Sequence, residues 1–228
     1  MHPTRMRVVV PALAFLRVAL HRMPDPWPNP RKAHPHDRKT MKRLPDARPT
    51  AGPLPAGEIP AAHLERHAPG IRIVLFDVDG VMTDGSLYYT DEGERLKRFH
   101  VHDGHGVKML RNAGIKVAAI SGRRSAMTER RLNELGFDAI EQGDDGKLAI
   151  AERLLARFHA AWSEAAAMGD DLPDLPLLER AAIAVAPANA VAAVRARVHW
   201  VTAERGGEGA VRAFADGLLA HARASGRA

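Results

Sequence analysis

The chain has 228 residues, no cysteine, 33 Lys/Arg against 27 Asp/Glu, and a formal charge of +6. Without cysteine there is no disulfide, no zinc–thiolate centre and no thiol nucleophile, which fits a reducing, cytoplasmic setting. The length admits one domain of roughly 150 residues with an appendage, or two small domains.

Residues 1–70 hold 12 Lys/Arg against 5 Asp/Glu and 13 of the 16 prolines, whereas residues 71–228 hold 21 Lys/Arg against 22 Asp/Glu. The basic balance therefore belongs to a leader, and prolines at that density break helices and sheets. A boundary near Pro69-Gly70 separates this leader, 1–70, from a domain over 71–228. The leader reads as a disordered tail, or as the product of a start placed too far upstream, with Met41 as the alternative start. Val8 to Leu20 is apolar behind Arg5 and Arg7, but Arg17 interrupts it and no small-x-small cleavage pattern follows. It is also too short to span a bilayer, so no membrane partner is expected. The leader's only aromatics are Phe15 and Trp27 and the domain is net −1, which argues against a nucleic-acid partner.

From Ile71 onward, short apolar runs alternate with amphipathic stretches, the pattern of an α/β fold whose parallel sheet carries helices on both faces. Strands are expected at 71–76, 116–120, 138–140, 165–168, 183–185 and 198–201. Helices are expected near 104–113, 125–135, 146–160, 174–181, 189–196 and 208–222. Gly114 and Gly136 stand where left-handed C-caps are wanted, and Ser125 stands as an N-cap. Residues 86–101 break the alternation and read as a β-hairpin, with arms 86–90 and 95–101, projecting over the strand ends as a small flap. No insertion is large enough for a cap domain.

Asp77-Val-Asp79 directly follows the first strand. Ser121-Gly122-Arg123 follows the second, Lys147 opens a helix beyond the third, and Gly169-Asp170-Asp171-Leu-Pro-Asp174 follows the fourth. The separations along Asp77, Ser121, Lys147 and Asp170 are 44, 26 and 23 residues, but parallel strands align their carboxyl ends, so all four can meet in one crevice. Each motif alone is more often a turn or a solvated residue; their order behind four strands makes them a constellation.

These residue types suit phosphoryl transfer, which requires an in-line nucleophile, an acid for the leaving oxygen, a divalent cation and donors for the phosphoryl oxygens. Asp77 is the expected nucleophile and Asp79 the acid–base. Asp170, Asp77 and the main-chain carbonyl of Asp79 are expected to bind Mg²⁺ through hard oxygens, with Asp171 and Asp174 arranging that shell. Ser121, the amides of Gly122 and Arg123, and Lys147 are expected to cradle phosphate. Asp84 is assigned to bonding the loop after Asp79 rather than to chemistry. His100, His102 and His105 cluster around Asp103, with His100 and His102 on one strand face, and are read as hairpin surface or substrate contacts rather than as a transition-metal site.

These motifs resemble the haloacid dehalogenase superfamily. Within it, residues 71–222 look most like the phosphatases of 3-deoxy-D-manno-octulosonate 8-phosphate, on Asp77-Val-Asp-Gly-Val-Met-Thr-Asp-Gly85, Phe99-His-Val-His-Asp-Gly-His-Gly106, Gln142-Gly with Lys147, and Gly206-Gly-Glu-Gly-Ala-Val-Arg212. The resemblance implies a cytoplasmic Mg²⁺-dependent hydrolase of lipopolysaccharide inner-core synthesis. It also implies a homotetramer in which a neighbour's hairpin or tail helps close the site. His102 stands where similar chains often carry Arg or Lys, and Arg123 or Arg212 is the candidate to compensate in contacting the sugar carboxylate. Gly206, Gly207 and Gly209 fit either a flexible tail reaching across an interface or a loop capping the last helix. The competing readings are a phosphatase for another acidic sugar phosphate, such as N-acylneuraminate 9-phosphate, and a non-catalytic assembly module of the same fold.

Overall fold

In the computed structural model, the described residues are 56–144 and 146–224; expectations for residues 1–55 fall outside them. Six strands form one parallel sheet: β1 (Ile73–Phe76), β4 (Lys116–Ser121), β5 (Ala139–Gln142), β6 (Ala165–Met168), β7 (Ile183–Ala186) and β8 (Trp200–Val201). Two more, β2 (Tyr88–Thr90) and β3 (Gly93–Leu96), form an antiparallel hairpin apart from it. The helices are α1 (Ala61–His67), α2 (Val101–Asn112), α3 (Ala126–Leu135), α4 (Lys147–Arg157), α5 (Leu175–Leu178), α6 (Ala192–Arg195) and α7 (Ala210–Ala224). All six expected core strands and the helices between them are present.

The sheet order is β5-β4-β1-β6-β7-β8. The chain leaves β1 for β4 on one side and later returns to β6 on the other, so the strand order reverses at β1 and opens a crevice beyond its carboxyl end. Alternation along each strand divides the core between the two faces. Val74, Phe76, Val117 and Met168 meet Leu64 of α1, Leu110 of α2 and Phe214 of α7 on one face. Ile73, Leu75, Ile120 and Ala167 meet Ile150 and Leu154 of α4 and Leu178 of α5 on the other. Gly136 ends α3 in the left-handed conformation, φ 77°, and the Ser125 hydroxyl accepts from the Thr128 amide at its start.

Two boundaries differ from expectation. Residues 61–70 belong to the packed domain rather than to the leader. They form α1 and a 3-10 turn against α7, and Leu64 is fully buried. The second hairpin arm stops at Leu96, and Val101 already begins α2, because the His100 side chain caps that helix by accepting from the His102 amide at 3.3 Å. His102 and His105 are thus helical, and the expected shared strand face for His100 and His102 does not form.

Candidate active site

β1 is buried throughout, and Asp77, the next residue, remains only 8 % exposed. β4 ends on Ser121, β6 leads through Gly169 to Asp170, and Lys147 is the first residue of α4. The reversal of strand order brings all four to one cleft of about 300 Å³, lined also by Asp79, Gly122, Arg123, Asp171 and Asp174.

Asp174 organises the floor. Its Oδ1 accepts from Lys147 Nζ at 2.6 Å, and its Oδ2 accepts from the amides of Asp170 and Asp171 at 3.0 and 3.1 Å. Lys147 Nζ also donates to Asp77 Oδ1 at 2.7 Å. Lys147 is itself buried, and a buried ammonium needs both partners to offset its lost hydration.

Oxygen atoms of Asp77, Asp170 and Asp174 lie within 4.8 Å of one another. Burial, then the Asp174 carboxylate, raises Asp77 from 3.8 to about 6, against the pull of Lys147. Burial, followed by Asp77 and Asp174, lifts Asp170 from 3.8 to about 8. Burial disfavours the Lys147 ammonium, but Asp77 and Asp174 outweigh it and hold its acidity well below that of an ordinary lysine. Three crowded carboxylates sharing one lysine are short of positive charge. Their all-oxygen donor set suits a hard divalent cation such as Mg²⁺. Gly80, at φ 91°, permits the crowding, since a Cβ there would collide with the Asp170 carboxylate.

The side chains of Asp79 and Asp171 are not in this group. Asp171 accepts from the Leu172 amide at 2.7 Å and starts a 3-10 turn. The two oxygens of Asp79 face two cations: Oδ1 pairs with Lys97, just past β3, and Oδ2 lies 3.9 Å from Arg123 Nε. The Ser121 hydroxyl accepts from the Arg123 amide at 3.3 Å and donates to the Arg123 carbonyl at 3.1 Å, fixing the turn that carries this arginine. Arg123 then reaches the flap, donating to the Tyr89 hydroxyl at 2.8 Å.

His102 and Arg212 do not line the cleft within one chain. His102 sits exposed in the first turn of α2. The Arg212 side chain pairs with Asp216 at 2.8 Å on α7, and its amide donates to buried Asp103 at 3.0 Å. Asp84 bonds the Ser86 amide and pairs with Arg98, whereas the Thr83 hydroxyl accepts from the Gly80 and Gly85 amides. Gly206 and Gly207 press against Gly80, Thr83 and Asp84 of the same chain, which selects the loop over the reaching tail. Asn189 completes that contact, donating to the Gly80 carbonyl at 3.0 Å and accepting from the Gly206 amide at 2.6 Å.

Sequence reasoning missed Lys97, Thr83 and Asn189. Lys97 stands on the arm 95–101 of the expected flap, which carries no assigned site residue before the histidines, yet its side chain is 2 % exposed. The available signal was the Asp-x-Asp loop itself, whose carboxylates and bent backbone require cations and side-chain acceptors from somewhere.

Residues 142–214 match a family model described as haloacid dehalogenase-like hydrolase. The chain is similar to the 3-deoxy-D-manno-octulosonate 8-phosphate phosphatase KdsC of Yersinia pestis, 41% identical over 154 residues, 68% of this chain and 82% of that protein. A phosphatase of the same name from Escherichia coli K12 is 40% identical over 152 residues, covering 67% and 81%. Among solved structures, that of 3-deoxy-D-manno-octulosonate 8-phosphate phosphatase from Moraxella catarrhalis, in complex with magnesium ion, phosphate ion and KDO, matches with TM-score 0.68 and 37% identity, covering 71% of this chain and 93% of that one.

Proposed function

The chain belongs to the haloacid dehalogenase-like hydrolases, and on that footing we propose that it is a Mg²⁺-dependent phosphatase converting 3-deoxy-D-manno-octulosonate 8-phosphate to the free sugar and phosphate. The observation that carries this reading is the buried Asp77 carboxylate at the end of the central strand. It is held by Lys147 at 2.7 Å and opens on a cleft that Asp79 also lines.

A carboxylate oxygen of Asp77 attacks phosphorus while the bond from phosphorus to the sugar oxygen breaks, giving an aspartyl phosphate. Asp79 donates a proton to the departing alkoxide. It then takes one from the water that attacks the same phosphorus, releasing phosphate and restoring Asp77. Asp77, Asp170 and Asp174 would hold Mg²⁺, which neutralises charge on the phosphoryl oxygens when bound. Lys147 adds a fixed positive charge beside the attacking oxygen and keeps it oriented. The Ser121 turn presents Arg123 toward the phosphoryl group, and the Thr83 hydroxyl with Asn189 keeps the Asp77–Gly80 loop from shifting.

The same reading makes the enzyme cytoplasmic and homotetrameric. Among the described residues no helix is long and apolar enough to cross a membrane. Among the described residues, five of the eight exposed large hydrophobic ones, Leu87, Tyr88, Tyr89, Leu96 and Val101, fall on the flap and the start of α2. A two-stranded hairpin is marginal alone, and an apolar patch on one fits burial against another subunit. There, His102 and Arg212 would face a neighbour's site rather than their own.

Phosphate release across a panel of sugar phosphates, with Mg²⁺ and with chelator, tests the reaction; Asp77→Asn is the control. Activity that survives chelator or the Asn variant would overturn the mechanism. Equal rates on the octulosonate 8-phosphate and on N-acylneuraminate 9-phosphate would remove the substrate assignment alone. The native mass of the purified protein tests the tetramer.

A further inference from the structure

Asp79 differs from the other carboxylates of the cleft in what holds it. Asp77 and Asp174 are fixed by the domain itself, through Lys147 and loop amides. The cations facing Asp79 both depend on the flap. Lys97 directly follows the flap's second strand, and Arg123, although carried by the Ser121 turn, is tied at its far end to Tyr89 of β2. Each cation faces a different oxygen of the one carboxylate, so together they set the rotation of the Asp79 side chain as well as its place.

Lys97 is costly to keep where it is. Its side chain is 2 % exposed, and an ammonium so buried persists only with anionic partners. One is Asp79. The other is Glu94 of β3, whose Oε1 is buried without a hydrogen bond and lies 3.7 Å from Lys97 Nζ. Glu94 belongs to the same hairpin and neutralises the ammonium without joining the flap to the domain. The pair that crosses to the domain falls on Asp79, the residue that must deliver a proton to the leaving oxygen.

We propose that Lys97 is a positioning residue for Asp79, so that the docked flap aims the acid–base group as well as covering the cleft. This rests on the acid–base reading of Asp79 given above. The consequence is a dependence on leaving group. Hydrolysis of a sugar phosphate expels an alkoxide and requires a correctly aimed proton. Hydrolysis of p-nitrophenyl phosphate expels a phenolate that leaves unprotonated. In the step that expels the leaving group, a residue that aims the acid matters for the first and little for the second, whereas one that merely supports the fold affects both alike.

The experiment compares the single-turnover rate at which the leaving group departs from the octulosonate 8-phosphate and from p-nitrophenyl phosphate, in saturating Mg²⁺, for the full-length protein and its Lys97→Met, Lys97→Arg and Asp79→Asn variants. This isolates the first step, because the later attack of water calls on Asp79 as base whatever group has left. Asp79→Asn is expected to lower the ratio of the sugar-phosphate rate to the p-nitrophenyl-phosphate rate in this first step by about 10²-fold or more. Lys97→Met should lower the same ratio by about tenfold, and Lys97→Arg should restore most of it, because a misaimed acid retains part of its effect. Should the Met variant not fold, Lys97→Gln carries the same expectation. Equal losses on both substrates in Lys97→Met, with the ratio shift intact in Asp79→Asn, would overturn the positioning role and leave the mechanism standing. An unchanged ratio in Asp79→Asn would refute the acid–base reading and this inference with it.

Discussion

The floor of the cleft and its flap are built on opposite principles. The floor stands on strand ends of a six-stranded parallel sheet, with Asp77, Lys147 and Asp174 all buried and each bonded to at least one of the others. The flap is a two-stranded hairpin whose strand residues are exposed or half-buried and which meets the cleft through Lys97 and Tyr89. The nucleophile is thus held by buried groups at the strand ends, and the acid–base side chain by cations that depend on an exposed hairpin. A reaction that must attack, expel a sugar and then admit water gains from this division, because only the second group has to serve two different oxygens.

Substitutions on the floor test the contrast most severely. Asp77→Asn should reduce phosphate release by about 10⁴-fold or more, since the nucleophile itself is lost, and intact-mass analysis should find no phosphorylated protein; a labelled variant would place the nucleophile elsewhere. Asp174→Ala strands Lys147 and frees two loop amides, so a destabilisation of about 3 kcal/mol is expected in denaturant unfolding, together with loss of activity. Stability close to wild type would show that Asp77 alone suffices for the lysine.

Acidity offers a gentler probe. In Mg²⁺-free protein, Asp77 at about 6 and Asp170 at about 8 both lie above the unfolded 3.8, so the folded state binds more protons. Stability therefore falls as pH rises from about 4 through about 8, and the penalty is complete above that range. In chelator, Asp170→Asn should flatten this decline and melt on the order of a few degrees above wild type at pH 8. Parallel melting curves for the two proteins from pH 5 to 9 would contradict the crowding of charge on the floor. At the flap, Tyr89→Phe removes one exposed hydrogen bond. It should cost under about 1 kcal/mol and lower turnover only a few-fold on a sugar phosphate; a loss as large as that of a floor residue would erase the distinction between the regions.

The same contrast explains what the amino-acid pattern could reveal. Asp77, Ser121, Lys147 and Asp170 were legible because each follows a short apolar run, and parallel strands bring run-ends together. Asp174 was legible as a member of the constellation, but not as the residue that binds Lys147 with one oxygen and two amides with the other. Lys97, Thr83 and Asn189 were not legible, because their partners lie in other loops and no period links them. The start of α2 was misplaced because Val101 continues the alternation of the arm before it, and the helix is announced only by the His100 cap. The fold thus followed from local periodicity, while the support of the site depended on tertiary contacts that local pattern does not encode.

Asp174 has a thermodynamic corollary. With Lys147 on one oxygen and the amides of Asp170 and Asp171 on the other, its carboxylate cannot rotate without breaking bonds on both sides. A cation arriving at the floor finds its donors already immobilised and buries little apolar surface. Its association should then show a heat-capacity change near zero, with the driving force coming from the water the ion sheds rather than from ordering of the chain.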